Sequence, residues 1–197
     1  MIQSIFLALI IVTIGCQTFA QSYKDAAGPI YSANYSRLPS ENREQIRVVT
    51  YNIHFSKNVE QVVSLLSTHE NLRDADVILL QEIIGETNGT DNAAAEIARR
   101  LKLNYVFIPS QIHPDLKKDY GSAILSPWPL SNIQKIILPG NHLRLQTQRA
   151  TAGASVSIGS RNLTVYSVHL ENLFFDTLST NEYSRFLQIS YLLSKVT

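Results

Sequence analysis

Three polar residues stand where apolar strands should end, and their types suggest a shared chemistry. Glu82 closes the aliphatic run "DVILLQEI", Asn52 closes "QIRVVTYNI", and His169 falls near the end of "VYSVHLEN". A carboxylate seldom approaches a core without a partner, because desolvating an unpaired charge costs several kcal/mol or more. If the three strands lie side by side, an amide, a carboxylate and an imidazole meet at one sheet edge. That set suits a hard cation: Mg²⁺ takes oxygen ligands, keeps several waters and needs only one or two carboxylates plus a substrate phosphate. Each residue also has a plainer reading. Glu82 would serve as a structural carboxylate paired with an arginine, Asn52 as a turn former before "IHF", and His169 as a hydrogen-bonded core histidine.

The elements that must position them follow from periodicity. A strand is expected over 45–53, then a helix in which Val59, Val62, Val63 and Leu66 share one face of a 3.6-residue period. "DVILLQ" reads as a strand buried on both faces. "GETNGTD" breaks the chain, and "NAAAEIARRL" forms a second helix over 92–101. Further strands are expected at 105–108, 122–125 and 133–138, and a hairpin at 150–158 and 162–170 turns at Gly159-Ser160. A final helix opens with a capping box, Ser179-x-x-Glu182, and carries an apolar stripe of Phe186, Ile189, Leu193 and Val196. Strand–helix–strand followed by many strands argues for an α/β sandwich. No G-x-G-x-x-G, P-loop or G-x-S-x-G occurs, so nucleotide-cofactor and serine-hydrolase chemistry are disfavoured.

Composition sets the frame. With 45% hydrophobic and 17% charged residues in 197, the chain can bury a sizeable core, and a net charge of +1 gives no strongly basic nucleic-acid surface. Lys117-Lys118 and Arg99-Arg100-Lys102 read as solvated faces. Residues 1–20 hold no charged side chain, and the apolar run 5–14 suits a signal peptide rather than a span, with Thr18-Phe19-Ala20 as the cleavage site. Gly15-Cys16 offers a less favoured lipoprotein site, since Thr13 stands where leucine is preferred. Cys16 is the sole cysteine, so the exported form has no disulfide and no thiolate ligand. The N-x-[ST] triplets at Asn34, Asn88 and Asn162 are expected by chance in so Asn- and Ser-rich a chain. Residues 21–44 read as a polar leader, and 45–197 as the domain.

Four stretches, "RVVTYNIHF", "DVILLQEI", "YGSAILSPWPL" and "LTVYSVHLEN", resemble in order and spacing the endonuclease/exonuclease/phosphatase superfamily of deoxyribonuclease-I-like phosphoesterases. The resemblance implies a four-layer α-β-β-α sandwich and hydrolysis dependent on Mg²⁺, with Mn²⁺ or Ca²⁺ as alternatives. Its implied substrate is a phosphate ester of nucleic acid, phospholipid or inositol phosphate. Carried across, Glu82 resembles the metal-binding glutamate and Asn52 the asparagine that orients the metal shell or phosphate. His169 resembles the histidine that contacts the scissile phosphate and assists proton transfer. Tyr120 stands near a phosphate-contacting position, Arg149 matches a recurrent arginine, and Arg185 and Gln188 match the family's Arg-x-x-Gln helix. His54, His69, His113 and His142 lack ligand spacing and read as solvated or structural.

The family pattern continues with Gly-Asp-x-Asn and a terminal Asp-His pair, and neither follows "SKVT" here. The domain is therefore expected to be incomplete at its C-terminus and nearly inactive as an isolated chain. Exposed sheet edges would be open to pairing. A non-catalytic exported binding or interaction module on the same fold is the alternative.

Overall fold

The computed structural model describes residues 21–23, 28–36, 44–87, 89, 91–140, 148–171 and 178–196. Residues 1–20 with Cys16, read above as a signal peptide, together with His142, Asn88 and the side chain of Ser179 in the capping box, lie outside them.

Two sheets form the centre. The first has six strands: β1 (Gln21–Ser22), β2 (Tyr31–Ala33), β3 (Val48–Asn52), β4 (Val77–Gly85), β5 (Asn104–Ile112) and β6 (Asp119–Ser126). They run in the order β1-β5-β6-β4-β3, with β2 also on β5. The second sheet is the antiparallel series β7 (Leu130–Ile137), β8 (Ala150–Ile158) and β9 (Arg161–Ser167). Strands β3 and β4 are parallel, with α1 (Val59–Thr68) as their crossover; the other pairings are antiparallel.

Period-two alternation divides the apolar residues between two cores. Ile78, Leu80, Tyr105, Phe107, Ala123 and Leu125 face α1 and α2 (Ala93–Leu101), where they meet Val62, Leu66, Ala94 and Ile97. Val77, Val106, Ile108 and Ile124 face the second sheet and meet Ala152, Ala154, Val156, Ile158 and Val165. Helix α3 (Leu178–Val196) lies beside β7, where buried Gln188 donates to the carbonyl of Pro139. The layers are thus helices, sheet, sheet and helix, as expected.

Two expectations need correction. The stretch 21–44 is not only a leader, because β1 and β2 extend the sheet along β5. Tyr23 and Tyr31 also donate to the buried carboxylate of Asp119 at 2.6 and 3.1 Å. Two- and three-residue strands on an edge carry too little apolar pattern to announce themselves. In α3, the expected packing stripe is exposed instead: Phe186 is 66% and Leu193 56% accessible, and the buried position is Gln188. The pattern marks a face that needs cover, and no described element provides it.

Parallel β3 and β4 bring their carboxyl ends to one edge. The start of β6, the start of β8 and the chain just past β9 reach the same edge. Asn52, Glu82, Tyr120, Arg149 and His169 occupy those positions.

Candidate active site at the sheet edge

Glu82 reaches the edge through a β-bulge. Gln81 pairs with Ser122 and Ile83 with Gly121, so Glu82 is an extra residue in β4, and its φ of 60° is left-handed. Strict alternation would turn Glu82 toward the helices. The bulge gives that position to Ile83, which is fully buried in the helix-side core, and releases Glu82 toward the strand ends. A left-handed non-glycine residue costs roughly 1–2 kcal/mol, a strain that persists where the surroundings over-determine it. The second bulge, at Ser110 in β5, also faces Gly121. A Cβ on Gly121 would lie 2.1 Å from the Ile108 carbonyl oxygen, which accounts for glycine in "YGSAILS".

The Glu82 side chain, 14% accessible, meets no arginine among the described residues. Asn52 Nδ2 donates to its Oε1 at 2.9 Å, and Asn52 Oδ1 accepts the backbone N–H of His54 at 2.9 Å. Two imidazoles flank the carboxylate: His169 Nε2 is 3.7 Å from Oε1 and His54 Nδ1 is 3.8 Å from Oε2. Both are too far for a hydrogen bond, and Oε2 is buried with no hydrogen-bond partner.

His169 belongs to a second, more deeply buried network. Its Nδ1 lies 3.1 Å from the Tyr120 hydroxyl and 3.1 Å from Arg149 Nη1. Arginine has only donors, so Nδ1 carries the lone pair and Nε2 carries the hydrogen that faces Glu82. Burial, with the nearby Arg149 charge, pushes the His169 pKa down to about 4 against the pull of Glu82. Burial likewise raises Tyr120 to about 12. Both are therefore neutral at pH 7. Arg149 also donates to Glu171 Oε1 at 3.1 Å, and the Glu171 N–H is held at 2.9 Å by Gln188 of α3. Gln81, bonded to Ser167 between the sheets, fixes the strand of Glu82 against the strand that leads to His169.

The structure thus brings Asn52, Glu82, Tyr120, Arg149 and His169 together at one edge, and Gln188 joins them through Glu171, whereas Arg185 makes no hydrogen bond or ion pair with them among the described residues. It places His169 past the end of β9 rather than inside it. It also adds His54, which read as solvated or structural, and Glu171, the partner of Arg149. His113 joins them at the rim, where its ring and Tyr120 both contact Phe55. The signal available for His54 was its place two residues after Asn52. A roomier cleft of about 690 Å³ lies at the opposite end of the sheet, among Tyr35, Leu66, Leu72 and Leu103, and contains none of these residues.

The donors fit a hard cation held sparingly. Glu82 Oε2 is an unsatisfied buried carboxylate oxygen, oriented by Asn52 through its twin. No group of three or more His, Cys, Asp or Glu forms a ready-made metal cage among the described residues, so water and substrate oxygens would have to complete the shell, as Mg²⁺ tolerates.

A carboxylate, an amide and two imidazoles thus share one strand edge of an α/β protein with two stacked sheets. The chain belongs to the endonuclease/exonuclease/phosphatase family, whose sequence model matches residues 49–173. Among solved structures it resembles an endonuclease/exonuclease/phosphatase family protein from Leptotrichia buccalis, at TM-score 0.58 and 17% identity over 78% of this chain and 64% of that one. It also resembles sphingomyelinase C from Streptomyces griseocarneus, at TM-score 0.52 and 16% identity over 77% and 60%. A third is a humanized D. rerio TDP2, at 0.50 and 13% over 77% and 59%. At these identities the likeness is one of fold, and the chain spans less than two thirds of each. No curated protein matches it significantly.

Proposed function

We propose that this edge is a divalent-cation-dependent phosphoester hydrolysis site, with Mg²⁺ as the ion and Mn²⁺ or Ca²⁺ as alternatives, in an exported protein. The observation that carries the reading is Glu82 Oε2, buried, unpartnered and held open by Asn52 between two imidazoles. Glu82 holds the cation and Asn52 orients the carboxylate. When bound, the ion would stabilise charge developing on phosphate oxygens. His169 donates its Nε2 hydrogen to a non-bridging oxygen, and Arg149 and Tyr120 lock the tautomer that makes this possible. The same lock keeps the His169 lone pair away from the attacking water.

His169 is therefore not placed to act as the base for water, and a general base contributes roughly 10²–10⁴-fold. The 197-residue chain is expected to bind metal and phosphate but to turn over slowly. Nucleic acid, phospholipid and inositol phosphate all remain within the reading, and the sphingomyelinase likeness supports a phospholipid as much as a nucleic acid. The apolar run at 5–14 supports export, and N-terminal sequencing of secreted protein should begin at Gln21.

The test is hydrolysis of bis(p-nitrophenyl) phosphate and p-nitrophenyl phosphate with Mg²⁺ or with chelator, in the native chain and Glu82→Ala. Slow, chelator-sensitive turnover that disappears in the variant is expected. Turnover indifferent to chelator contradicts the reading, and a stable monomer with no turnover favours a non-catalytic binding module.

A further inference from the structure

Between β3 and α1 the chain makes a turn that is costly to maintain. His54, Phe55 and Ser56 have φ of 47°, 56° and 54°, consecutive left-handed residues with no glycine among them. L-residues visit this region singly, because each visit brings Cβ against a carbonyl oxygen. What over-determines the turn is the candidate site itself. Asn52 Oδ1 accepts the His54 N–H, and Ser56 Oγ accepts the N–H of Ile84, two residues beyond Glu82, at 3.1 Å. The Phe55 ring packs 5.6 Å from the ring of Tyr120 and 5.4 Å, edge-on, from His113.

The turn delivers a pair of donors to the solvent side of Glu82. Lys57 Nζ lies 2.8 Å from His54 Nε2. An ammonium has no lone pair to offer, so Nε2 accepts and the hydrogen sits on Nδ1, the atom facing Glu82 Oε2. Among the described residues, Arg149 is committed to Glu171 and Lys118 to Glu86. Lys57 pairs with no carboxylate among the described residues, and His54 is 67% accessible. A phosphate ester bound at a metal on Glu82 would meet the His169 donor from inside the fold and the His54–Lys57 pair from outside.

We propose that the strained 54–57 turn is a phosphate clamp, in which Lys57, backed by His54, holds a phosphoryl oxygen of the substrate bound at Glu82. This rests on the phosphoester reading of that site. The clamp recognises phosphoryl charge, not the group the phosphate is attached to.

Calorimetric titration of the 197-residue chain with inorganic phosphate and with dimethyl phosphate, at saturating Mg²⁺, tests it. The two probes separate a terminal phosphate from a diester linkage as the source. For whichever binds, Lys57→Ala should weaken affinity by about tenfold, the loss of one charge-assisted hydrogen bond. Lys57→Arg, which keeps the charge, should stay within about threefold. A merely structural lysine would not divide the two substitutions by charge. Phosphate affinity unchanged in Lys57→Ala, while Glu82→Gln loses Mg²⁺, overturns the clamp and leaves the phosphoester reading standing. Absence of both Mg²⁺ and phosphate binding in the native chain overturns both.

Discussion

Asn52 and Glu82, thirty residues apart, are joined by a 2.9 Å hydrogen bond from Nδ2 to Oε1 across the carboxyl ends of two parallel strands. The bond satisfies one carboxylate oxygen and leaves the other buried without a partner. Leaving such a group unmade costs about 1–3 kcal/mol, more when it is charged. The fold therefore stores a deficit at Oε2 that a bound cation would relieve.

Glu82 is also strained in its backbone, at φ 60°. Glu82→Gly removes both the left-handed penalty and the unpaired oxygen, against the extra flexibility of glycine in the unfolded chain. The variant should be more stable by about 1 kcal/mol in urea unfolding and should no longer bind metal. A stability loss would show that the bulge is not strained by its side chain.

The low pKa of His169 makes stability depend on pH in a definite direction. The unfolded chain takes up a proton on this histidine near 6.5, and the folded chain only near 4. Stability is fully present above about 6.5 and falls as pH drops toward 4, by up to about 3 kcal/mol at roughly 1.4 per pH unit. Asp119, raised by burial, acts in the opposite sense and is common to both proteins. His169→Gln should flatten the decline in unfolding free energy between pH 6.5 and 4. An unchanged slope would mean His169 is not held neutral by burial.

Arg149 and Glu171 form a buried ion pair at 3.1 Å, with side chains 12% and 2% accessible. Removing one partner strands the other charge, so Glu171→Ala should lose about 3–5 kcal/mol. Arg149→Met combined with Glu171→Leu should recover much of it, because well-packed apolar groups can replace a buried pair. Equal losses in the single and double variants, measured by urea unfolding, would show that the charges do not act as a pair.

Much of this was legible in the residues. The runs "VVTYN" and "VILLQ", the Val59–Val62–Val63–Leu66 face and the hairpin at Gly159 each combine one period with one punctuation signal, and each formed where expected. Asn52, Glu82 and His169 stood out because polar residues closed apolar strands. The bulge that aims Glu82 was not legible, since it follows from Ile83 competing for the helix-side core. Nor was the run of left-handed residues at 54–56, which contains no glycine, asparagine or aspartate and is held by contacts with Asn52, Ile84 and Tyr120. Glu171 became visible only once Arg149 had a location.

The account turns on Glu82 Oε2 as a cation ligand, and calorimetric titration of Mg²⁺ and Mn²⁺ into the native chain, Asn52→Ala and Glu82→Gln tests this directly. One ion per chain should bind, about tenfold more weakly without the orienting amide, and not at all in Glu82→Gln. Binding of equal strength in all three proteins would contradict it.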